Sequence, residues 1–247
     1  MVKNMEFSEH ELIATYKFNS NEPFLVDVGA HNGRVTRIFA EKGWGILAFE
    51  PERKMYATLK HNLAGFKNVT CISKAVSDAN AKVSFYVSAI HWGIHSFKPF
   101  DKTHKLAYEV ETVTLKDVLK ELNIKTVTFL KIDIEGADFL ALKGFDFTKY
   151  HPELIIAEFL DERSRPHFGY THHDMAAYMN KQGYATFVSD WAPPIEYSRE
   201  GFPRPYRKWL RCVSYPLDYE PTWGNLIFVP KCDKDKFNAT VGAYLKN

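Results

Sequence analysis

Hydrophobic residues follow two alternating patterns along the chain. Short apolar runs rich in β-branched and aromatic residues, such as 24–28, are repeatedly followed by stretches in which apolar residues recur at helical spacing. The segments that this pattern predicts as strands are 24–28, 45–49, 69–73, 126–134, 153–159, 185–189 and 226–229. Strands that alternate with helices predict an α/β domain whose largely parallel sheet is covered by helices on both faces.

Polar and apolar residues alternate one by one in two other stretches, 82–88 and 108–114. This alternation predicts antiparallel strands with one face toward solvent. Apolar residues at helical spacing, with Ser8 as the expected N-cap of the first element, predict helices at 8–18, 35–42, 53–63, 115–122 and 174–182.

The stretch 190–225 differs from the rest of the chain because it combines prolines with many aromatic and basic residues. A loop of this length is usually either functional or disordered. We predict a functional lid over the surface, inserted into a single domain that spans 1–247.

The charge balance argues against a dedicated nucleic-acid binder. The 247 residues include 32 basic and 30 acidic side chains, a net charge of +2, without a stripe of lysine or arginine. No apolar stretch is long enough to span a bilayer, and the N-terminal segment lacks the apolar core of a signal peptide. Three widely spaced cysteines favour neither a disulfide framework nor a zinc knuckle. We therefore expect a cytoplasmic protein; the sequence leaves its oligomeric state open.

The first candidate ligand-binding motif ends the strand at 24–28. Asp27 stands two residues before a turn that begins at Gly29 and ends at Gly33. Glycines at the carboxyl end of a strand let the backbone approach a ligand closely, and open α/β sheets bind their ligands there. The G-x-x-x-G spacing is not that of dinucleotide-binding proteins, and the acid suits a cationic or amine-bearing ligand. The alternative is an ordinary strand–helix turn.

A second candidate is Glu50, which closes the strand at 45–49 and lies 21 residues after Gly29. A carboxylate at this position can accept hydrogen bonds from both hydroxyls of an adenosine ribose. An acid near a helix start can instead be a cap or a partner of the helix dipole. The combination with the glycine turn favours the ribose-binding interpretation.

The third motif is the string Lys-Ile-Asp-Ile-Glu-Gly-Ala-Asp at 131–138. Side chains alternate along a strand, so Lys131, Asp133 and Glu135 can share one face, with the acids at the ligand-binding end. Two acids at the end of a buried strand are costly unless they meet a partner or a cation. The alternative is an acid pair satisfied by backbone amides at the next helix start.

Together these stretches resemble the FkbM family of methyltransferases, to which the Lys-Ile-Asp-Ile-Glu-Gly string is specific. The resemblance implies a Rossmann-like class I methyltransferase fold, with a seven-stranded mixed sheet whose last strand is antiparallel. It also implies S-adenosyl-L-methionine as the cofactor and a hydroxyl, often of a sugar or natural product, as the methyl acceptor. Asp138 stands where the family more often has Glu. The similar segments are about 24–159, 174–184 and 225–230, with supporting strings at 75–78, 112–117, 142–144 and 155–158.

The resemblance also implies roles for individual residues. Asp27 and the glycine turn would line the methionine end of the cofactor, Glu50 would hold its ribose, and 76–78 would flank its adenine. Asp133 and Glu135 would lie beside the sulfonium and the acceptor. The residues expected to bind the cofactor are Asp27, Gly29, Ala30, Asn32, Gly33, Glu50, Pro51, Val76, Ser77, Asp78, Asp133 and Glu135.

A sugar hydroxyl is a poor nucleophile while protonated, so we expect a general base within hydrogen-bond reach of it. Asp133 has the best position relative to the expected cofactor, and Glu158 and His95 are the other candidates. Aromatic faces pack on sugar rings and arginines bind phosphates, which predicts a sugar, a glycan or a nucleotide-linked sugar as the acceptor. The alternative for the lid is a structural loop whose aromatic residues fill the core. The residues expected to contact the acceptor are Trp92, His95, Ser96, Trp191, Arg204 and Arg207.

Three other functions share parts of this pattern. An NAD-dependent oxidoreductase would share the fold and the ribose acid but requires a tighter glycine spacing. A nucleic-acid methyltransferase could stack bases on the lid, yet the Asn-Pro-Pro-Tyr-like string typical of base-amine methylases is absent. A binding module without catalytic activity would have no reason to keep acids at three strand ends. No metal is expected, because a complete ligand set of familiar spacing is formed neither by His91 with His95, nor by His172 with His173, nor by Asp133 with Glu135.

Overall fold

The structure, a computed structural model, describes residues 8–88, 94–192 and 208–246. Its helices are α1 (Glu9–Thr15), α2 (Arg34–Ala40), α3 (Arg53–Leu63), α4 (Leu115–Glu121), α5 (Asp138–Lys143), α6 (Asp161–Phe168), α7 (His172–Lys181) and α8 (Lys234–Tyr244). Its strands are β1 (Phe24–Val28), β2 (Gly45–Phe49), β3 (Val69–Ile72), β4 (Ala75–Val76), β5 (Ala81–Ser88), β6 (His104–Val113), β7 (Phe129–Ile132), β8 (Leu154–Phe159), β9 (Tyr184–Trp191), β10 (Trp209–Ser214) and β11 (Trp223–Pro230).

The main sheet has the strand order β10-β9-β11-β8-β7-β1-β2-β3, and β4, β6 and β5 form a separate small sheet. β1 pairs in parallel with both β2 and β7, and parallel pairing continues to β3 on one side and to β8 on the other. β11 runs antiparallel to β8 and β9, and β10 runs antiparallel to β9. The chain leaves β1 toward β2 and later returns on the opposite side of β1. The carboxyl end of β1 is therefore the point where the strand order reverses.

Alternate residues of the central strands pack on opposite faces of the main sheet. In β1, Val26 and Val28 belong to one core cluster, whereas Leu25 belongs to the other. In β7, Leu130 and Phe129 divide in the same way. Helices α1, α2, α3 and α8 contribute to one cluster, and α4, α5 and α7 contribute to the other. Because both faces are covered, these strands need apolar residues at nearly every position.

The predicted fold class is confirmed, with one difference in strand number. Helix α1 begins after Ser8, whose hydroxyl oxygen caps it, and β5 pairs antiparallel with β6 as the alternation predicted. The main sheet has eight strands rather than seven. The additional strand is β10, which comes from the proline-rich 190–225 stretch and extends the sheet beyond β9. Residues 193–207 of the predicted lid lie outside the described residues.

The helices are too short or too polar to span a membrane. Within residues 8–88, 94–192 and 208–246, none of them combines the length and the apolar character required to cross a bilayer.

Candidate functional site

The carboxyl ends of four parallel strands meet at one edge of the main sheet. Gly29 follows β1, Glu50 follows β2 and Asp133 follows β7, while Glu158 is the penultimate residue of β8. The three sequence motifs are far apart in the chain, yet they converge where open α/β sheets bind their ligands.

The turn after β1 packs directly on the residue that follows β7. Gly29 has a φ of +76°, and a Cβ atom built on it would lie 2.0 Å from the carbonyl oxygen of Asp133. The amides of Gly29 and Ala30 donate to the carbonyl oxygen of Phe49 in β2, at 3.0 and 2.9 Å. The backbone angle and the close approach both require glycine at this position. The turn thus joins the ends of β1, β2 and β7.

Glu50 presents a carboxylate that is only 6% exposed at the end of β2, before the half-buried Pro51. Its Oε2 accepts a hydrogen bond from the amide of His31, and its Oε1 accepts one from the amide of Glu52, both at 2.9 Å. Burial raises the pKa of Glu50 to about 7, although these two amides act in the opposite direction. Each carboxylate oxygen has a second lone pair, so the group can accept two more hydrogen bonds. This chemistry fits the paired hydroxyls of a ribose.

The side chain of Asp27 is fully buried beneath this edge of the sheet and has no surface open to solvent. Its Oδ2 accepts a hydrogen bond from the hydroxyl of Thr36 at 2.6 Å, and its Oδ1 lies 3.1 Å from Nζ of Lys131. Nζ of Lys131 also donates to the carbonyl oxygen of Gly29 at 2.7 Å and lies 3.8 Å from Oδ2 of Asp133. Burial alone would lower the pKa of Lys131, but the facing carboxylates outweigh it and raise that pKa. The charged Lys131 therefore links the turn after β1 to the end of β7.

The rest of the glycine turn leads into α2. Gly33 has a φ of +83°, and a Cβ atom on it would lie 2.9 Å from the side chain of Leu59. Asn32 is exposed, and its side-chain oxygen accepts a hydrogen bond from the amide of Arg34 at 3.2 Å. The contacts of Gly33 are therefore structural, whereas Asn32 stays accessible to a ligand.

The segment predicted to flank an adenine follows β4. Val76 and Ser77 are buried, and the carbonyl oxygen of Ser77 would lie 2.2 Å from a Cβ atom on Gly144. Asp78 is exposed and lies 3.2 Å from Nζ of Lys143 in α5. The segment is thus fixed to the end of α5, and its role toward adenine stays a prediction.

Three acids at the ends of β7 and β8 form a group. One carboxylate oxygen from each of Asp133, Glu135 and Glu158 lies within 4.8 Å of those of the other two. Glu135 forms an ion pair with Arg163, and Oε1 of Glu158 accepts a hydrogen bond from the indole of Trp223 at 2.8 Å. The side chain of Asp133 is 45% exposed. Glu135 is only 17% exposed and Glu158 is half-buried, so Asp133 is the acid of this group that is most open to solvent.

Asp138 fixes the turn that carries Glu135. Glu135 has a left-handed φ of +60°, which is uncommon for a residue other than glycine. The fully buried carboxylate of Asp138 accepts hydrogen bonds from the amides of Ile134 and Gly136, at 3.3 and 3.1 Å. Burial raises the pKa of Asp138 to about 7. Asp138, which stands where the family more often has Glu, therefore stabilises the turn through these hydrogen bonds.

A cleft opens beside Asp133 and Glu158. Glu9 closes one side of it, because its Oε1 accepts hydrogen bonds from the indole of Trp191 at 2.6 Å and from the side chain of Asn225 at 2.9 Å. The rings of Trp191 and Trp223 lie 5.9 Å apart at an angle of 48°. The cleft therefore combines carboxylates with aromatic faces. The residues that line it are Glu9, His10, Lys131, Ile132, Asp133, Ile156, Glu158, Trp191, Trp223 and Asn225.

Sequence reasoning missed the contribution of α1 to this cleft. Glu9 is buried and occupies the position that continues the apolar stripe of Leu12, Ile13 and Tyr16. Burial also lowers the pKa of the adjacent His10. The hydrogen-bond donors to Glu9 lie 182 and 216 residues away, so no local pattern identifies them. The signal that the sequence offered was an acidic residue, Glu9, at a position of the helix where an apolar residue is expected.

His95 and Ser96, which were predicted to meet the acceptor, lie against the small sheet. Nδ1 of His95 accepts a hydrogen bond from the amide of Ser88 at 3.3 Å, and Ser96 exchanges backbone hydrogen bonds with Tyr86 of β5. Burial lowers the pKa of His95, so its imidazole is neutral at pH 7. Neither residue lines the cleft, whereas Trp191 does. The predicted acceptor contacts outside the described residues are Trp92, Arg204 and Arg207.

Comparisons with known proteins point to one family. Residues 27–186 match the family described as the methyltransferase FkbM domain. Methyltransferase 1 of Beauveria bassiana is 29% identical over 205 residues, which cover 70% of this chain and 78% of that protein. The 2-O-methyltransferase NoeI of Sinorhizobium fredii is 23% identical over 157 residues, which cover 57% of this chain and 65% of that protein.

Solved methyltransferase structures are more distant. A precorrin-6y C5,15-methyltransferase of Geobacter metallireducens has a TM-score of 0.45 at 12% identity and covers 93% of each chain. An rRNA methylase of Streptococcus thermophilus has a TM-score of 0.46 at 12% identity and covers 93% of this chain and 98% of that one. The identification rests on the family match, which covers more than half of the chain and includes the acids that end β1, β2 and β7. The match confirms both the family and the cofactor that the sequence motifs predicted, and it favours methyl transfer over hydride transfer. The chain belongs to the FkbM family of S-adenosyl-L-methionine-dependent methyltransferases.

Proposed function

We propose that this methyltransferase transfers the methyl group to a hydroxyl of a sugar, a glycan or a nucleotide-linked sugar. The observation that carries the proposal is a cleft lined by the carboxylates of Asp133 and Glu158 together with the indoles of Trp191 and Trp223. Aromatic faces pack on sugar rings, and carboxylates accept hydrogen bonds from hydroxyls. The similarity to a protein named as a 2-O-methyltransferase supports oxygen as the acceptor atom.

The cofactor side of the proposal uses the acids at the strand ends. S-adenosyl-L-methionine supplies a methyl group that is already activated on a positively charged sulfur. Glu50 would accept hydrogen bonds from the ribose hydroxyls, and the half-exposed Asp133 would face the positive charge. Gly29 would let the backbone lie close to the ligand. Asp27 would be a positioning residue, because its carboxylate holds Lys131 and, through it, the carbonyl group of Gly29.

Asp133 is the general base that we propose. An in-line transfer needs the acceptor oxygen aligned with the methyl group, and such positioning can contribute about 7–11 kcal/mol. A base within reach of the hydroxyl adds about 10²–10⁴-fold. Glu158 ranks second, because it already accepts a hydrogen bond from Trp223. His95 ranks third, because it lies against the small sheet rather than in the cleft.

The test uses the full chain, S-adenosyl-L-methionine with an isotopically labelled methyl group, and a panel of glycans, nucleotide sugars, catechols and RNA. We expect the label on a sugar hydroxyl, located by mass spectrometry. Label on RNA, on a catechol, or on none of the sugars would contradict the proposal. Binding of S-adenosylhomocysteine, measured by calorimetry in parallel, separates a wrong acceptor from an inactive preparation.

The basic residues of the lid provide a second test. Guanidinium groups bind phosphates through two hydrogen bonds, so we propose that Arg204 and Arg207 hold a phosphate of the acceptor. Replacing both with Ala should raise the KM for a nucleotide sugar and leave cofactor affinity unchanged. An unchanged KM would remove the phosphate from the proposal. We also propose a cytoplasmic location, because three widely spaced cysteines without a CxxC pair are typical of a reducing compartment.

A further inference from the structure

A second group of potential ligands lies outside the acid-lined cleft. His172 and His173 open α7, and Glu220 belongs to the connection between β10 and β11. One nitrogen of each histidine and one carboxylate oxygen of Glu220 lie within 4.8 Å of one another. The sequence shows only the adjacent histidines, because Glu220 follows 47 residues after His173.

His172 is held in the orientation and tautomer of a metal ligand. Its side chain is fully buried, its backbone amide donates to Oδ1 of Asp161 at 2.8 Å, and its Nδ1 lies 2.8 Å from Oδ2 of the same carboxylate. An ionised carboxylate can only accept hydrogen bonds, and that of Asp161 faces donors of His172 at both of its oxygens. Nδ1 therefore carries the proton, and Nε2 carries the lone pair. Metal-bound histidines almost always donate their other ring N–H to such a partner.

Nε2 of His172 is the observation that points to a ligand. It is buried and has no hydrogen-bond partner among the residues that the structure describes. It lies 3.8 Å from Oε2 of Glu220, beyond hydrogen-bond distance. A buried polar atom without a hydrogen-bond partner destabilises the fold. A cation bound to the lone pair of Nε2 would remove this destabilisation.

The spacing of the donors fits one small ion. Nε2 of His173 lies 3.1 Å from Oε2 of Glu220, the same oxygen that lies 3.8 Å from Nε2 of His172. Nδ1 of His173 lies 2.8 Å from the hydroxyl of Tyr215. Ligands bound at about 2.0–2.2 Å with tetrahedral angles are separated by about 3.3–3.5 Å. The two nitrogen–oxygen distances, 3.1 and 3.8 Å, lie on either side of that value.

We propose that His172 Nε2, His173 Nε2 and a carboxylate oxygen of Glu220 bind a single Zn²⁺ ion. Two imidazoles and one carboxylate are typical zinc ligands, whereas magnesium and calcium prefer oxygen alone. Water would complete the coordination from an adjoining cleft, which Asp161, His173 and Glu220 border. The carboxylates of Glu220 and Asp161 balance the charge of the ion.

The ion would fix the β10–β11 connection to the start of α7. Glu220 stands three residues before Trp223, whose indole donates to Glu158 in the acid-lined cleft. The zinc site is thus connected by a short segment to one wall of that cleft. The connection that the ion would make does not depend on which acceptor the enzyme uses.

The test removes metal from the full chain with a chelator and then titrates Co²⁺, which reports N/O coordination through its visible absorption, followed by competition with Zn²⁺. We expect one equivalent of Co²⁺, displaced by Zn²⁺. Glu220→Gln and His173→Gln should each weaken binding at least tenfold. Both side chains are exposed, at 75% and 45%, so these variants should fold normally by circular dichroism. Asp161→Asn should weaken binding about 10–100-fold.

The matched control is Glu162→Gln, which changes a carboxylate that borders the same cleft but is not one of the three ligands. Its Co²⁺ affinity should equal that of the unmodified chain. The proposal is overturned by the absence of Co²⁺ binding. It is equally overturned by an affinity that Glu220→Gln and His173→Gln leave unchanged, which would move the ion to another site such as the acids at the ends of β7 and β8.

Discussion

The two halves of the methyltransferase site use their acids differently. At the ends of β1 and β2, Glu50 and Asp27 are buried, and their hydrogen-bond donors lie 2 to 19 residues away in the sequence: the amides of His31 and Glu52 for Glu50, and the hydroxyl of Thr36 for Asp27. A distant partner in this half is Lys131, which pairs with Asp27. At the ends of β7 and β8, Asp133 is half-exposed, and the partners of Glu135 and Glu158 come from distant elements.

This difference suits one half of the site to cofactor binding and the other half to methyl transfer. A carboxylate surrounded by fixed local donors has a defined direction and suits the recognition of a ligand that does not react. A half-exposed carboxylate beside a cleft can exchange a proton, as a general base must. Lys131 connects the two halves, because it contacts Asp27, Gly29 and Asp133. If the comparison is right, substitutions in the first half should affect stability and cofactor binding, and those in the second should affect turnover.

The largest effect is expected where the two halves touch. Gly29→Ala would place a Cβ atom 2.0 Å from the carbonyl oxygen of Asp133, so backbone atoms must move. We expect the free energy of unfolding to fall by more than about 4 kcal/mol. Gly43→Ala is the matched control, because Gly43 has a similar φ of +81° but nothing within 4 Å of the added atom. It should cost only about 1–2 kcal/mol. Equal losses in urea unfolding would mean that the contact with Asp133 is unimportant.

The second-largest loss of stability is expected when the positive charge of Lys131 is removed. Lys131→Met leaves the fully buried Asp27 without its cation, and breaking a buried pair in this way costs about 3–5 kcal/mol. Asp27→Asn in the same chain removes the unpaired charge and should recover part of the loss. Urea unfolding of the two single variants and the double variant measures the coupling. If the losses of the single variants simply add, Lys131 and Asp27 do not act as a pair.

A feature of the site could be predicted from the sequence when the residues that form it lie close together along the chain. β1 and its glycine turn were predictable, because an apolar run, Asp27 and Gly29 lie within a few residues of one another. Glu50 could be identified for the same reason, from its place directly after β2. Burial on both faces made these strands continuous apolar runs, which is a strong local signal.

The cleft could be predicted only in part. Asp133, Glu158 and Trp191 were identified, but Glu9 was not, since its role depends on donors more than 180 residues away. The eighth strand, β10, was also missed, because it lies within a proline-rich stretch and pairs only at the edge of the sheet. Long-range pairing of this kind leaves no periodic pattern in the sequence.

The chemical half of the comparison is tested by turnover. Asp133→Asn keeps the size of the side chain but removes its basicity, so kcat should fall at least about 10²-fold, equivalent to about 2.7 kcal/mol. Glu158→Gln retains an oxygen that can accept from Trp223, and its kcat should fall less than that of Asp133→Asn. Affinity for S-adenosylhomocysteine should change little in either variant. A larger loss of kcat in Glu158→Gln would transfer the role of base to Glu158.

The smallest effect concerns the binding half and its dependence on pH. Burial raises the pKa of Glu50 to about 7 in the free protein, and hydrogen bonds from ribose hydroxyls favour the ionised form. Cofactor binding should therefore be fully developed above pH 7 and should weaken as the carboxyl takes up a proton below it. Between pH 8 and pH 6 the affinity for S-adenosylhomocysteine should fall about tenfold, which corresponds to about 1.4 kcal/mol. Glu50→Gln cannot ionise, so its affinity should be low and nearly constant over this range, with Glu111→Gln as an exposed control on the small sheet. A tenfold fall that persists in Glu50→Gln would assign the titration to another group and separate Glu50 from the ribose.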